Sequence, residues 1–367
     1  MSFYNEYLKY KEFDFDGFFN NIKDEDITRI INKRKLDEYD FLTLLSPTAE
    51  KYLEEIANRA NESTLQNFGK AILLFTPLYL ANYCVNRCAY CGFNFENKIK
   101  RKKLTMEEIE KEARAIRETG IRHILILTGS SRKETPVSYM IDAVKILRDY
   151  FDSISVEVYA LEEEEYKQLV EVGVDGMSMY QEVYNEQIYD KVHISGPKKK
   201  YRFRLDAPER ACKAKIRNVC LGPLLGLDEW RKEFFYGVLH AKYLRNKYSD
   251  VEVAVALPRI RSHAGSFTDI HEVNDKNIVQ MIIACRLFLP RCGITMTTRE
   301  KAEFKDNLIP LGVNKISAGV CTEVGGHDIK GDSDPQFDII DPRSVDKVKE
   351  DLLKIGYQPV FKDWMNF

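Results

Sequence analysis

The chain has 367 residues, 44% of them hydrophobic, so it can bury a large core as one barrel-sized domain or two smaller ones. Its 55 basic and 57 acidic side chains give a formal net charge of -2, which leaves no global field that would attract nucleic acid or a membrane surface. The N-terminal residues lack a secretory signal, and no stretch is long enough to span a bilayer. Eight cysteines without an export signal fit reduced thiols or metal ligands. We expect a cytoplasmic protein that acts on a small molecule.

Residues 1–70 contain amphipathic segments, which predict an N-terminal helical extension packed on the outside or underside of the next domain. From residue 71, short apolar runs alternate with amphipathic stretches, a pattern typical of βα units around a parallel sheet. Thr105 and Glu108, three residues apart, form a capping box that marks the start of one helix. We predict eight strands, at 71–80, 123–128, 153–160, 176–181, 219–224, 251–257, 294–297 and 315–319.

Eight βα units over roughly 250 residues match the expected length of a (β/α)8 barrel. The predicted fold class is therefore α/β, with a TIM-type barrel at residues 71–320. A C-terminal segment at 321–367 is expected to close on the barrel. Active sites of such barrels lie at the C-terminal ends of the strands, so functional side chains should follow each strand.

Three cysteines, Cys84, Cys88 and Cys91, follow the first predicted strand at C-x3-C-x2-C spacing, which places them at the barrel mouth. Thiolates this close in sequence can each bind one iron of a cubane cluster and leave the fourth iron open. A structural zinc site normally has four protein ligands, and an electron-carrier cluster usually has four cysteines. The spacing therefore favours an open 4Fe-4S cluster. The other cysteines fit small buried hydrophobic side chains, namely Cys212, Cys220, Cys285, Cys292 and Cys321.

The motif, with Tyr90 before its last cysteine, resembles the radical S-adenosylmethionine superfamily. This resemblance implies that a 4Fe-4S cluster and S-adenosylmethionine are the cofactors. From about residue 70 onward, the sequence resembles one family in particular, the 2-iminoacetate synthases, which are tyrosine lyases of thiazole (thiamine) biosynthesis. The segments that carry the likeness are YCVNRCAYCGF (83–93), YQEVYN (180–185), GPK (196–198), YRFRLDAPERA (201–211), LPR (257–259), TRE (298–300), ISAG (316–319) and GYQPVFKDW (356–364).

The family resemblance implies cleavage of the Cα–Cβ bond of L-tyrosine, begun by hydrogen abstraction from its amino group, to give 2-iminoacetate and p-cresol. It also implies two protein partners, thiazole synthase and an electron donor of the flavodoxin or ferredoxin type. Related tyrosine lyases that mature iron hydrogenase carry a C-terminal extension with further clustered cysteines. Because the last cysteine here is Cys321 and the sequence ends at Phe367, we expect the thiamine pathway. A tryptophan lyase is one alternative, and a non-catalytic metal-binding scaffold is an alternative of a different class.

The turn after the second predicted strand and the aromatic residue of the cysteine motif are expected to contact S-adenosylmethionine. The glycine and backbone amides of the turn suit the amino and carboxylate groups of the cofactor, although an ordinary helix-capping turn has the same composition. The residues concerned are Tyr90, Thr128, Gly129, Ser130 and Ser131.

Two acidic side chains and one arginine are further cofactor candidates. Period-two alternation on the third and fourth strands directs Glu157 and Glu182 into the barrel, where a buried carboxylate needs a partner or a ligand. Arg204 resembles the family arginine that holds the carboxylate of the cofactor, with Arg202 as the neighbouring alternative. Structural ion pairs are the competing interpretation for all of them.

A tyrosine substrate needs a cation for its carboxylate, and the sixth and seventh strands are followed by Arg259 and Arg299. We predict that these two act jointly, in preference to Arg261 farther into the loop. The competing interpretation is that the arginines only neutralise mouth carboxylates such as Glu300 and Glu323.

Ser317, at the end of the eighth strand, is predicted to orient the substrate amino group. Tyr180 and His263 are candidates to contact the phenol.

Loop residues carry weaker signals. Five of the six residues at 98–103 are basic, which indicates either a solvated loop or a docking patch for an electron donor. His193 and His327 are expected to be solvated loop histidines, and no metal is assigned to either.

Overall fold

The computed structural model describes residues 2–265, 267–329 and 332–362. Eight parallel strands close into a barrel with helices between them, as the sequence predicts. Two residues of the predicted family-like ending, Asp363 and Trp364, lie outside the described residues, as do residues 330 and 331 of the predicted C-terminal segment. The strands in chain order are β1 Ala71–Ala81, β2 Arg87–Cys88, β3 His123–Thr128, β4 Ser153–Glu157, β5 Gly176–Glu182, β6 His193–Ser195, β7 Asn218–Pro223, β8 Glu252–Ala256, β9 Gly293–Met296, β10 Lys315–Ser317 and β11 Gln358–Val360.

The helices form the outer layer and the N-terminal extension. Two short 3-10 helices, Thr48–Tyr52 and Pro197–Lys199, supplement them. The α-helices in chain order are α1 Phe3–Leu8, α2 Phe15–Asn20, α3 Asp24–Ile31, α4 Glu38–Leu44, α5 Leu53–Phe68, α6 Met106–Glu118, α7 Val137–Leu147, α8 Glu163–Glu171, α9 Glu186–Val192, α10 Tyr201–Leu205, α11 Ala207–Lys213, α12 Trp230–Lys247, α13 Asp275–Phe288, α14 Ala302–Leu308 and α15 Val345–Lys354.

The barrel runs β1, β3, β4, β5, β7, β8, β9 and β10, and β10 pairs back with β1. The lower three residues of β1 pair with β11, the middle three with β10, and the upper part with β3. The predicted third strand is too long, because β4 ends at Glu157 and its ladder to β5 contains only Ser155 and Val156. Three short strands were not predicted: β2 and β6, which pair antiparallel, and β11.

The N-terminal helices cover one side of the barrel. Helix α5 packs on α13, α4 packs on both α12 and α13, and α1 packs on α12. The extension therefore lies mainly on the outside of the helical layer, and the end of α5, with Asn67 and Phe68, reaches the lower end of the barrel interior. No described helix has both the length and the apolarity of a membrane span.

The predicted capping box begins α6. The Thr105 hydroxyl accepts a hydrogen bond from the Glu108 amide at 3.2 Å, and the Glu108 carboxylate accepts one from the Thr105 amide at 2.8 Å. Reciprocal capping satisfies two amides that the helix itself leaves unpaired, so this helix starts where the sequence places it.

Candidate active site

The cysteine loop leaves the upper end of β1 and is held against β6. Cys88 is buried on β2, which pairs with β6, and Cys84 and Cys91 are half-buried. The backbone amide and side-chain amide of Asn86 point to the Cys84 sulfur at 3.5 and 3.8 Å. Donors aimed at a sulfur suit a thiolate, which accepts hydrogen bonds more strongly than a neutral thiol.

Arg101 holds the cysteine loop in place by hydrogen bonds. This residue belongs to the basic segment 98–103 and was not among the predicted site residues. Its guanidinium donates hydrogen bonds to four backbone carbonyls: at 2.6 Å to Asn82, 3.0 Å to Phe93, 2.7 Å to Asn94 and 3.4 Å to Asn97. An irregular loop leaves such carbonyls without ladder partners, and the five donors of one arginine satisfy several at once. The sequence signal for this role is a basic residue a few positions after the cysteine motif.

The rest of the predicted basic patch is partly paired with carboxylates. Lys100 and Lys102 both reach the Asp332 carboxylate, at 2.6 and 2.9 Å, and Lys102 also approaches Glu108 at 3.3 Å. Lys98, Lys100 and Lys103 are exposed, so both interpretations of residues 98–103, a solvated loop and a docking patch, stay predictions. The segment fastens the cysteine loop to the chain that follows β10.

Glycines let the turn after β3 approach the cysteine loop. A Cβ on Gly129 would lie 2.2 Å from the Tyr83 carbonyl oxygen, so any other residue here would move the backbone. The Gly129 amide donates to the Ala81 carbonyl at 2.9 Å, and the Val85 amide donates to the Ser130 carbonyl at 2.9 Å. The turn and the cysteine loop are therefore one hydrogen-bonded unit.

The donor set fits a cubane cluster. Burial raises the pKa of the Cys88 thiol to about 12, and the neighbouring cysteines raise it further against the opposing effect of Lys198. Thiolates at these positions thus need a bound cation, which iron supplies. Among the described residues, no three His, Cys, Asp or Glu side chains converge on one point. A cubane does not require such convergence, since each thiolate binds a different iron.

A cavity of about 920 Å³ lies inside the barrel beneath this loop. All three motif cysteines line it, and so do most of the predicted site residues. Those that line it are Tyr90, Thr128, Gly129, Ser130, Glu157, Tyr180, Glu182, Arg204, His263, Arg299 and Ser317.

Two predicted site residues are not brought into the cavity. Ser131 is buried in the turn, where its hydroxyl accepts a hydrogen bond from the Glu134 amide at 3.3 Å, so it is a capping residue. Arg259 does not belong to the described lining, because Glu300 and Asp275 bind its guanidinium and the Val273 carbonyl accepts a further hydrogen bond. The structure thus places Arg259 in an ion pair with Glu300, as in the competing interpretation, and its role in substrate binding stays a prediction.

Arg299 and Arg261 remain on the cavity wall. Arg261 donates to Glu300 at 3.0 Å and to the Arg299 carbonyl at 2.6 Å. Arg299 stacks 3.5 Å from the Phe337 ring centre, and no described carboxylate forms an ion pair with it. Burial lowers the pKa of Arg299, and the nearby Tyr79 opposes that effect. A half-buried guanidinium without a described counter-ion is well suited to bind a carboxylate.

Ser317 lies at the end of β10 beside this arginine. Its hydroxyl accepts a hydrogen bond from the Thr298 amide at 3.1 Å, which leaves its proton free to be donated into the cavity. The carbonyl of Ser317 accepts from Lys305 at 3.2 Å, which fixes the strand end.

Glu157 faces the same cavity from the end of β4, and its carboxylate makes no hydrogen bond to the described residues. Burial raises its pKa to about 7, Glu182 adds to the rise, and Arg299 opposes it. The Thr128 hydroxyl is also buried without a hydrogen-bond partner in the described structure. Buried polar groups without protein partners are suited to bind a ligand.

Glu182 ends β5 with a backbone φ of 72°, in the left-handed region that favours glycine. Its carboxylate accepts hydrogen bonds from Lys198 at 2.7 Å and Arg204 at 3.1 Å. Arg204 also donates twice to the Tyr180 carbonyl, at 2.9 and 2.6 Å. Strain of this kind persists where the surroundings impose it, commonly at ligand sites. Lys198 was missed in the sequence, although it stands in the GPK segment.

Tyr90 is fixed by a histidine. Its hydroxyl lies 2.7 Å from His193 Nε2, and His193 Nδ1 lies 2.8 Å from the Tyr189 carbonyl oxygen. A carbonyl oxygen only accepts, so Nδ1 donates and Nε2 accepts the Tyr90 proton. His193 is thus buried rather than solvated as predicted. His327 is also engaged, since its Nε2 lies 3.1 Å from the Pro77 carbonyl oxygen.

Comparison with known proteins identifies the family. Residues 78–234 match the Radical SAM superfamily, and residues 256–358 match the Biotin and Thiamin Synthesis associated domain. The chain is 38% identical over 343 residues to the 2-iminoacetate synthase of Escherichia coli (strain K12), covering 93% of this chain and 91% of that relative. The 2-iminoacetate synthase of Salmonella typhimurium is also 38% identical, over 340 residues, with 92% and 90% covered.

Solved structures agree with this assignment. HydG, a maturase of the FeFe-hydrogenase, superposes with a TM-score of 0.90 at 31% identity, over 96% of this chain and 80% of HydG. Methylornithine synthase (PylB) superposes with a TM-score of 0.71 at 20% identity, over 91% of this chain and 97% of PylB, which shows the shared fold. The chain therefore belongs to the 2-iminoacetate synthase family of radical S-adenosylmethionine enzymes, whose cofactors are a 4Fe-4S cluster and S-adenosylmethionine.

Proposed function

We propose that this protein is a tyrosine lyase that cleaves the Cα–Cβ bond of L-tyrosine to 2-iminoacetate and p-cresol, with 5′-deoxyadenosine and methionine formed from S-adenosylmethionine. The observation that carries the proposal is one cavity whose wall contains both the three-cysteine loop and Arg299, a half-buried cation with no carboxylate partner among the described residues. Identity of 38% to 2-iminoacetate synthases over nearly the whole chain supports the same reaction.

The cofactors are assigned to the upper wall of the cavity. Cys84, Cys88 and Cys91 hold the cluster. When bound, the cluster and S-adenosylmethionine supply a carbon-centred radical that can abstract hydrogen. We assign contacts with S-adenosylmethionine to the wall residues around the cysteine loop, namely Tyr90, Thr128, Gly129, Ser130, Glu157, Glu182 and Arg204.

The substrate is assigned to the opposite wall. Arg299 binds the carboxylate of tyrosine through charge-assisted hydrogen bonds, and the Ser317 hydroxyl orients its amino group. Tyr180 and His263 line the same cavity and contact the phenol end. Hydrogen abstraction from nitrogen requires a neutral amino group, and Glu157, with a pKa of about 7, can accept the ammonium proton.

Two partners complete the proposal. The imine product hydrolyses in water, so we infer that a thiazole synthase takes it directly. A flavodoxin- or ferredoxin-type protein supplies the electrons. A hydrogenase-maturation lyase is the second candidate, favoured by the TM-score of 0.90 to HydG. A tryptophan lyase and a non-catalytic metal-binding scaffold are the remaining alternatives.

An anaerobic product assay tests these functions against one another. The reconstituted enzyme is given reductant, S-adenosylmethionine and either tyrosine or tryptophan. We expect 5′-deoxyadenosine and p-cresol in equal amounts from tyrosine, with glyoxylate from hydrolysis of the imine. Cyanide and carbon monoxide would identify a maturation lyase, and consumption of tryptophan would identify a tryptophan lyase. A chain that assembles the cluster and consumes neither amino acid would be a scaffold.

A further inference from the structure

The interior of this barrel is unusually open. The core of a (β/α)8 barrel is normally filled by layers of bulky branched side chains. Here, the strands from β4 to β10 contribute small side chains at mid-barrel, whereas β1 and β3 contribute large apolar ones such as Phe75 and Leu127. The small residues at mid-barrel are Ser155, Ser178, Cys220, Ala254, Thr295 and Ser317.

The cavity consequently runs the length of the barrel. Its lining includes Tyr79 and Glu182 at the upper ends of β1 and β5, and also Ala71 and Gly293 at the lower ends of β1 and β9. A ligand in the upper site therefore faces the cysteine loop on one side and an open passage on the other.

The lower end of the passage is cationic. Four basic residues line it, Arg217, Arg245, Arg291 and Lys315. Arg217 pairs with Glu252 at 3.0 Å. Neither Arg245 nor Arg291 forms an ion pair with a carboxylate of the described chain, and Arg291 is exposed.

The opposing charges at this end are few. Glu252 is the single carboxylate among the described residues that line the lower passage. Asp175 lies behind the wall, where it accepts hydrogen bonds from the Ser153 hydroxyl at 2.9 Å and the Ile154 amide at 3.1 Å. Even with Asp175 counted as fully charged, two carboxylates oppose four basic groups, so the sum of these charges is positive, and a positive mouth concentrates small anions.

We propose that the lower mouth of the barrel, formed by Arg245 and Arg291 with Lys315 and Arg217, binds a small carboxylate anion and is the exit for 2-iminoacetate. This inference rests on the proposed function for the identity of the anion. The imine is a two-carbon carboxylate whose charge suits the cationic mouth, whereas p-cresol is a neutral phenol. Exit at the lower end separates the water-labile product from the cofactor end of the barrel.

Anion binding is tested without turnover. The holoenzyme is saturated with S-adenosylmethionine and tyrosine in the absence of reductant, so the upper site is filled, and radiolabelled oxamate is measured by equilibrium dialysis. Oxamate is a stable planar carboxylate of the same size as the imine. We expect saturable binding that weakens at least ten-fold in the double variant Arg245→Glu/Arg291→Glu.

A matched control carries the same change in charge elsewhere. Lys111→Glu/Lys349→Glu alters two exposed lysines on α6 and α15 and should leave oxamate affinity within two-fold. Absence of saturable oxamate binding, or an equal loss in both double variants, would overturn the proposed site.

The exit is tested by timing the two products under turnover. In Arg245→Glu/Arg291→Glu, we expect p-cresol in the first turnover to stay within two-fold, while glyoxylate in solution falls at least five-fold relative to p-cresol. Simultaneous appearance of both products in the variant contradicts the exit. Failure of the proposed function has a different signature, since the unsubstituted enzyme would then form no p-cresol while oxamate binding would persist.

Discussion

Two arginines, one in each half of the barrel, are held in different ways. In the first half, which contains residues 78–234, Arg101 binds the backbone and holds four carbonyls around the cysteine loop. In the second half, residues 256–358, Arg259 binds the carboxylates of Glu300 and Asp275. Arg299, also in the second half, forms no ion pair with a described carboxylate. A cation at a strand end is therefore a candidate substrate ligand only when no carboxylate already binds it.

The largest effect is expected from the cysteine loop itself. Replacing Cys88 by alanine removes a cluster ligand, so iron content and 5′-deoxyadenosine formation should fall to background. Iron and sulfide analysis after anaerobic reconstitution checks this. Cys212→Ala changes an equally buried cysteine on α11 and should retain its iron. Normal iron content in Cys88→Ala would show that the loop does not hold the cluster.

Arg101→Ala tests whether backbone clamping in the first half matters for the cluster. Each buried carbonyl left without a donor costs about 1–3 kcal/mol, and this substitution removes the side-chain donor of the Asn82 and Phe93 carbonyls, whereas those of Asn94 and Asn97 keep a backbone amide. We expect iron content to fall at least four-fold, while the far-ultraviolet circular dichroism of the barrel is retained. Lys98→Ala, in the same loop and exposed, is the control and should bind iron normally. Full iron content in Arg101→Ala would show that the hydrogen bonds of Arg101 are not needed for cluster binding.

Substitutions of Arg299 and Arg259, both in the second half, should affect substrate binding and protein stability separately. Arg299→Gln removes charge-assisted hydrogen bonds worth about 1.5–3 kcal/mol, so KM for tyrosine should rise about 10–100-fold. Arg259→Gln removes one partner of buried Glu300, so its main effect should be a lower Tm with a small change in KM. Tyrosine saturation curves and thermal melts of both variants measure the two effects. The reverse pattern would restore Arg259 as the substrate ligand.

The smallest effect is expected from Glu157→Gln and depends on pH. In the folded protein the pKa of Glu157 is raised from 4.5 to about 7, so ionisation disfavours the fold as pH rises through that range. The variant should therefore gain thermal stability relative to the unsubstituted protein from pH 5 to pH 8, with little difference at pH 4.5. Melting curves without S-adenosylmethionine or tyrosine check this. A stability difference that does not change with pH would contradict the pKa shift.

The sequence predicted those features of the fold and the site that depend on residues close together in the chain. The barrel strands were predicted from short apolar runs that alternate with amphipathic stretches, and the cysteine loop was predicted from the spacing of three cysteines. Inward alternation on β4 and β5 placed Glu157 and Glu182 in the cavity. These signals are local because strand periodicity fixes which side chains share a face.

What the sequence could not give depends on partners distant in the chain. The role of Arg101 depends on carbonyls of an irregular loop, and the pairing of Arg259 with Glu300 depends on two neighbouring strand ends. Strand β11 is three residues long and includes Pro359, so its pairing with β1 has little propensity to indicate it. Ser131 has the same residue type as Ser130, and only the fold of the turn decides which one faces the cavity.

The pairing of β1 with both β10 and β11 has a consequence for biosynthesis. The first barrel strand is synthesised before the other seven, yet its lower neighbours β10 and β11 follow all of them in the chain. The cysteine loop also needs later segments, since Lys100 binds Asp332 and Gly92 packs on the Gln336 carbonyl. We therefore expect the loop to reach the arrangement that holds iron only after these later segments have been synthesised.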